Sequence, residues 1–375
     1  MRRWRLGTVG GSPVYLAPSW LLVAAVLTVI FLPTVRRVAP DLGFAAAVGA
    51  SATFPVLLFA SVLAHELAHG AAARAIGARV REYVLTFWGG HTSFDAELRT
   101  PGASAFVSAA GPAANLLLAG LGWLALQAIP LGLVAVVVAS LTWANVVVAA
   151  FNLLPGNPLD GGRILEALLW RVTGDRDRAT IGAGWVGRAI AVVIALVVLL
   201  PPLLRGERPV LTTAVWGLLV AGLVWSGASR SIAVGRARRS AAGFDLRPML
   251  RAAVALDAAT PIEALPDVLR AAAVPDGAAP PDVVLLDPAG APVALLDPEA
   301  VRGVPPHLRA GTPVGAAARG LPPEAVLTAV TGADALAALA RGIEAGGVVV
   351  VLVAPGVVAT TTRAAVLAAL APGGR

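Results

Sequence analysis

The sequence predicts a polytopic α-helical membrane protein, with about six transmembrane helices, followed by a small cytoplasmic α/β unit. Three observations carry that prediction. The 375 residues are 57% hydrophobic and only 14% charged, with a mean hydropathy of +0.79, too apolar for an average soluble chain and too apolar for a disordered one. The first two-thirds contain several charge-free runs of membrane-spanning length. After Phe244 aromatic residues stop, and short apolar runs alternate with Pro, Gly and Asp.

A span needs ~20 apolar residues, and a charge inside it costs a few kcal/mol. The first candidate runs from about Trp20 to Val35. The second starts at Leu42 and continues past Ala64 into charged positions. No charged residue lies between Arg99 and Asp160, which is room for two spans, and Pro130-Leu131-Gly132 is the natural break between them. Spans three and four are therefore placed at about 102–129 and 132–154. The fifth runs from about Gly184 to Leu204 and the sixth from about Pro209 to Ser229.

Arginine sets the expected orientation, because cytoplasmic flanks collect it. Six spans put both termini on one side. That side holds Arg2, Arg3 and Arg5, then Arg74, Arg79, Arg81 and Arg99, then Arg163, Arg171, Arg176 and Arg178, and finally Arg230, Arg236, Arg238 and Arg239, whereas the other holds Arg36, Arg37, Arg205 and Arg208. The expectation is a multi-pass protein of the cell membrane with both termini cytoplasmic. No small-residue cleavage pattern follows the first apolar run, so a cleaved signal peptide is not expected.

The basic excess sits in the membrane part: residues 1–240 hold 20 Arg against 10 Asp plus Glu, and 241–375 hold 9 against 12. This distribution speaks against a nucleic-acid partner. Residues 1–240 are read as the membrane domain and 241–375 as the soluble one, joined by the Arg-rich stretch Arg230 to Arg239 as a helix extension. In the tail, 283–286, 293–296 and 348–353 read as buried strands, and 261–273 and 333–343 as helices.

Cysteine is absent and there are only four histidines, so a metal would have to use His, Asp or Glu. Two of them fall in His65-Glu66-Leu67-Ala68-His69. On a helix, residues i and i+4 share a face, so both imidazoles can converge on one ion, with Glu66 beside the first ligand and placed to take a proton from water. At this chain's His and Glu frequencies the pattern arises by chance on the order of once in a thousand chains. A catalytic zinc wants a third protein ligand, and Asp160 is the candidate. It follows span four, and the alternation of spans brings it to the same membrane face as His65 and His69. Asn115 in span three reads as an interhelical hydrogen bonder, Gly111 as a helix-packing residue, and His91 as a solvated loop residue.

With HELAH at 65–69, Gly89-Gly90 in a loop after span two, Ala110-Gly111-Pro112-Ala113-Ala114-Asn115 in span three and FNLLPGNPLDGG at 151–162, the membrane half resembles the site-2 protease family of intramembrane zinc metalloproteases. The resemblance implies one Zn²⁺ per chain held by His65, His69 and Asp160, with Glu66 as general base and later proton donor. It also implies Asn152 as a catalytic group that binds the substrate or polarises its carbonyl. The expected activity is hydrolysis of a peptide bond within or near a transmembrane segment of a membrane-protein substrate. The alternative is a membrane metal transporter or sensor using the same ligands, although a carrier needs no Glu66 and would show repeated broken helices. A catalytically dead scaffold is the remaining rival.

The tail resembles a pair of CBS domains, about 247–305 and 311–370, through two similar helix-strand-strand-helix patterns closing at 290–301 and 356–367. Such pairs bind adenine nucleotides through an acidic residue in the closing segment. Asp297 holds that position in the first copy, but Thr362 holds it in the second, which argues against a strong nucleotide site. A homodimer through this tail stays open as an alternative.

Overall fold

The computed structural model describes residues 3–86, 89–272, 280–354 and 357–370. The chain forms two compact units, 1–236 and 237–375.

The first unit opens with a hairpin of β1 (Trp4–Val9) and β2 (Ser12–Leu16). Its turn is Gly10-Gly11, at φ +58° and +82°, a backbone region that glycine enters without steric penalty. Then come α1 (Ser19–Val38) and α2 (Phe44–Ala75), and a second hairpin of β3 (Val80–Thr86) and β4 (Gly89–Phe94). Next are α3 (Pro101–Leu126), α4 (Leu133–Asn152), the short α5 (Asp160–Thr173), α6 (Arg176–Leu204) and α7 (Leu211–Ala242). Six helices, α1 to α4, α6 and α7, are long and apolar enough to cross a membrane. Their outward side chains are apolar, as at Val29, Leu117 and Val197, which suits lipid as the surrounding solvent.

The elements can be set against the sequence expectations. The span carrying HELAH continues past Ala64 as expected, to Ala75, so both histidines lie in one unbroken helix; other expectations change. Gly89 and Gly90 are strand residues of β4 rather than a loop. The helix of span five starts at Arg176 rather than near Gly184, and it carries Arg188 within its apolar length. The four-stranded sheet, in order β1-β2-β3-β4, has no counterpart among the sequence expectations. It packs Val14, Tyr83 and Leu85 against Ala72 and Ala73 of α2 and Val107 of α3, so it braces the end of α2 that carries His65 and His69.

The second unit holds β5 (Arg251–Asp257), α8 (Leu265–Ala271), β6 (Asp282–Leu286), β7 (Pro292–Leu296), α9 (Pro298–Gly303) and β8 (Ala318–Gly320). It continues with β9 (Val326–Leu327), α10 (Gly332–Gly346), β10 (Val348–Ala354), β11 (Val357–Thr362) and α11 (Arg363–Leu370). One seven-stranded sheet joins them in the order β8-β7-β6-β5-β11-β10-β9. The helix-strand-strand-helix order recurs, as α8-β6-β7-α9 and α10-β10-β11-α11. The helix expected over 261–273 is shorter, a 3₁₀ turn at 262–264 and then α8, and position 273 lies outside the described residues, as does position 356 of the second closing segment. Asp297 accepts from the Glu299 amide at 2.9 Å and caps α9, while Thr362 accepts from the Ala365 amide at 3.2 Å at the start of α11. The two positions compared in the sequence thus hold the same place in the two repeats.

Candidate metal centre

Helical spacing in α2 puts His65 and His69 one above the other, with ring centroids 4.7 Å apart. Asp160, the first residue of α5, brings its carboxylate to them: Oδ2 lies 3.1 Å from His65 Nε2 and 3.3 Å from His69 Nε2, and the two Nε2 atoms are 3.1 Å apart. The other ring nitrogens decide the proton positions. His65 Nδ1 meets Asn115 Oδ1, and His69 Nδ1 meets the Val107 carbonyl at 2.7 Å. Both partners are acceptors, so each Nδ1 carries the proton and each Nε2 presents a lone pair.

Three lone pairs therefore converge, and Asp160 Oδ2 is buried with no hydrogen-bond partner. Such an arrangement is repulsive unless a cation sits among the three atoms. Donors at about 2.0–2.1 Å from a tetrahedral zinc lie roughly 3.3 Å from one another, the spacing seen here. Asp160 completes the set as a carboxylate oxygen beside the two imidazole nitrogens.

The support behind His65 is only half visible in the sequence. Asn115 is buried, as expected of an interhelical bonder, yet its oxygen also fixes the imidazole. Its amide nitrogen donates to Asn145 Oδ1 at 2.8 Å and to Ser61 Oγ at 3.3 Å, and Ser61 donates to Asn145. Neither Ser61 nor Asn145 stands out in the sequence; the available signal is a polar side chain inside an apolar span, which in lipid calls for a partner. Asn115→Ala should leave the His65 Nδ1 proton without an acceptor and lower zinc affinity about 10–100-fold. Competition against a chelator of known affinity measures this, and an unchanged affinity would remove Asn115 from the support.

Gly111 lets α3 pack close against α2, as expected, and the point of approach is the pair of histidines itself. A Cβ there would stand 2.4 Å from His69 Nε2 and 2.5 Å from His65 Nε2, so the missing side chain keeps the approach to both nitrogens open.

Glu66 faces a cavity of about 680 Å³ that His65, His69, Asp160 and Asn152 also line. The Thr92 hydroxyl donates to Glu66 Oε2 at 2.7 Å. Gly90 brings the β4 backbone so close that a Cβ would fall 2.4 Å from Glu66 Cγ. Asn152 is the last residue of α4, and His91, exposed on β4, lines the same cavity. The segment before Asp160 is held by Glu166, another residue the sequence does not point to, which accepts from Asn157 Nδ2 at 3.0 Å and from Thr180 Oγ1 at 2.9 Å.

The family model of peptidase family M50 matches residues 53–130 and 127–198, a stretch that contains all three donors, Glu66 and Asn115. Over these residues the membrane unit is similar to peptidase family M50. Among curated relatives, Rip3 of Mycobacterium tuberculosis, a zinc metalloprotease by name, is 45% identical over 143 residues, 37% of this chain and 36% of that one. Protein sll0528 of Synechocystis, also named a zinc metalloprotease, is 36% identical over 195 residues, 50% of this chain and 51% of that one. The chain thus spans about a third to a half of the length of the curated relatives it matches. Among solved structures, the site-2 protease from Methanocaldococcus jannaschii aligns with a TM-score of 0.44 at 24% identity, over 62% of this chain and 95% of that one.

Proposed function

We propose that the chain is an intramembrane zinc endopeptidase that hydrolyses a peptide bond within or near a transmembrane segment of a membrane-protein substrate. The observation that carries this reading is the convergence of the two Nε2 lone pairs and the Asp160 oxygen at 3.1–3.3 Å on a cavity that also holds Glu66. Zinc bound by His65, His69 and Asp160 would supply Lewis-acid polarisation and lower the pKa of water. Glu66, oriented by Thr92, takes the proton from the attacking water and returns it to the leaving amine. Asn152, on the cavity wall, is assigned to the substrate backbone. A helical substrate hides its carbonyls in its own hydrogen bonds, so the scissile segment must unwind before it enters. A carboxylate dedicated to proton transfer beside the donors favours hydrolysis over metal transport.

The arginine distribution supports cytoplasmic termini and a metal site toward the cytoplasmic face. The second unit carries no comparable donor cluster among its described residues, and we assign it to regulation or to pairing of two chains. Its CBS likeness rests on the repeated topology, and Thr362 argues against tight adenine-nucleotide binding.

The test uses the full chain purified in detergent or in nanodiscs. About one zinc per chain, cleavage of single-span test proteins, loss of cleavage with 1,10-phenanthroline and its return on adding Zn²⁺ are expected. Zinc flux across sealed proteoliposomes with no cleavage would favour the transporter instead.

A further inference from the structure

Arg188 stands inside the apolar length of α6, and nothing in the peptidase reading uses it. A charge in a membrane helix is costly without a partner, and marks a site worth explaining. Its guanidinium carbon lies 4.9 Å from the Trp185 ring and 4.8 Å from the Trp225 ring, close enough for cation–π attraction to both. Nε and Nη2 donate to Ser229 Oγ at 3.1 and 2.9 Å, and that hydroxyl passes its own proton to the Trp225 carbonyl at 2.7 Å. Among the described residues no carboxylate pairs with Arg188, and its Nη1 group has no acceptor. A full positive charge with unused donors is therefore held in place, and not neutralised, by the described residues.

The position of this charge says what kind of anion fits. Trp185 is 50% exposed and Trp225 44%, so the cluster opens on the outer surface of the α6–α7 pair. That pair is close-packed: a Cβ on Gly187 would lie 3.1 Å from Ala228 Cβ. Ser229 directly precedes Arg230, the first of the arginines at the end of α7, so the cluster lies just inside the basic end of the helix. Tryptophan favours that depth, where headgroups meet hydrocarbon. Beyond it, away from the basic end, the same faces continue with the exposed apolar side chains Val192, Leu196 and Leu218.

We propose that Arg188, Trp185, Trp225 and Ser229 form a binding site for the phosphate of an anionic phospholipid, whose acyl chains lie along Val192, Leu196 and Leu218. Two indole rings restrict the guanidinium and leave its in-plane N–H edge for phosphate oxygens, a geometry that Arg offers and Lys does not. The lipid's net negative charge balances Arg188, which a zwitterionic headgroup cannot do.

Native mass spectrometry of the full chain in detergent, with added phosphatidylglycerol, phosphatidylcholine or inorganic phosphate, tests the site. The wild type should retain phosphatidylglycerol over phosphatidylcholine by about tenfold or more and should not retain inorganic phosphate. Arg188→Gln should erase the preference and Arg188→Lys should weaken it several-fold, whereas Arg205→Gln, at an exposed arginine already paired with Glu207 at 3.2 Å, should leave it unchanged. Equal retention of both lipids by the wild type, or an undiminished preference in Arg188→Lys, would overturn the proposal. Arg188→Lys keeps the charge, so it decides the matter even if Arg188→Gln does not fold. Retention of inorganic phosphate at the same level would overturn the lipid assignment.

Discussion

Replacing Glu66 with Gln is expected to leave zinc bound and to reduce peptide hydrolysis by about 10²–10⁴-fold or more. The amide has nearly the same shape, still accepts from Thr92, and lies outside the donor set of His65, His69 and Asp160. What it lacks is a basic oxygen, so water is no longer deprotonated and the leaving amine receives no proton. The measurement pairs metal content with a cleavage assay on the same preparation. Full activity in the variant would end the assignment of Glu66 as the base, and loss of metal would mean that Glu66 holds the site together rather than serving it.

The second large effect is steric. Gly111→Ala adds one methyl group at 2.4–2.5 Å from the two Nε2 atoms, where the ion would need its space. Alanine is a better helix former than glycine by about 1 kcal/mol, so α3 itself should not suffer. The expected outcome is a folded protein whose zinc affinity falls on the order of a hundredfold or more, because a well-packed site yields little to an inserted carbon. Calorimetric titration of metal-stripped protein, with circular dichroism to verify the fold, reads both parts. Wild-type zinc affinity in Gly111→Ala would show that the ligands converge elsewhere than the structure places them.

What the sequence discloses, and what it hides, follows from the range of the signals involved. Helical spacing is local, so His65 and His69 can be read as one face, and the charge-free runs can be read as spans. Asp160 is found because alternating spans return to the same side, an argument about topology that needs no contact. The support cannot be found that way. Ser61, Asn115 and Asn145 lie on three helices and meet only after packing, and none of them announces its partner. The sheet at the start of the chain escapes because its strands are short and pair across the whole of α1 and α2, as where Val14 meets Tyr83. Arg188 escapes for another reason: the run from Gly184 to Leu204 is read as a span although it contains this one charge, and a ring and the hydroxyl beside the charge, those of Trp225 and Ser229, come from another helix. In the tail, the valine-rich β6 and β10 are legible, whereas β5, with Arg, Ala and Asp, and the very short β8 and β9 carry too little apolar pattern to stand out.

The bond from His65 to Asn115, and from there to Asn145 and Ser61, ties α2, α3 and α4 to the same imidazole that faces the metal position. Ion occupancy and cohesion of these three helices are therefore thermodynamically linked. Whatever strengthens the hold on the ion also strengthens the bundle, and the reverse holds equally. At a free-zinc concentration a hundredfold above the dissociation constant, the linkage is worth about 2.7 kcal/mol to the assembled state. On the proposed reading, a chain that has not yet acquired its ion lacks both its catalytic metal and this contribution to the cohesion of α2, α3 and α4, a difference that cellular quality control can sense without ever sensing the metal.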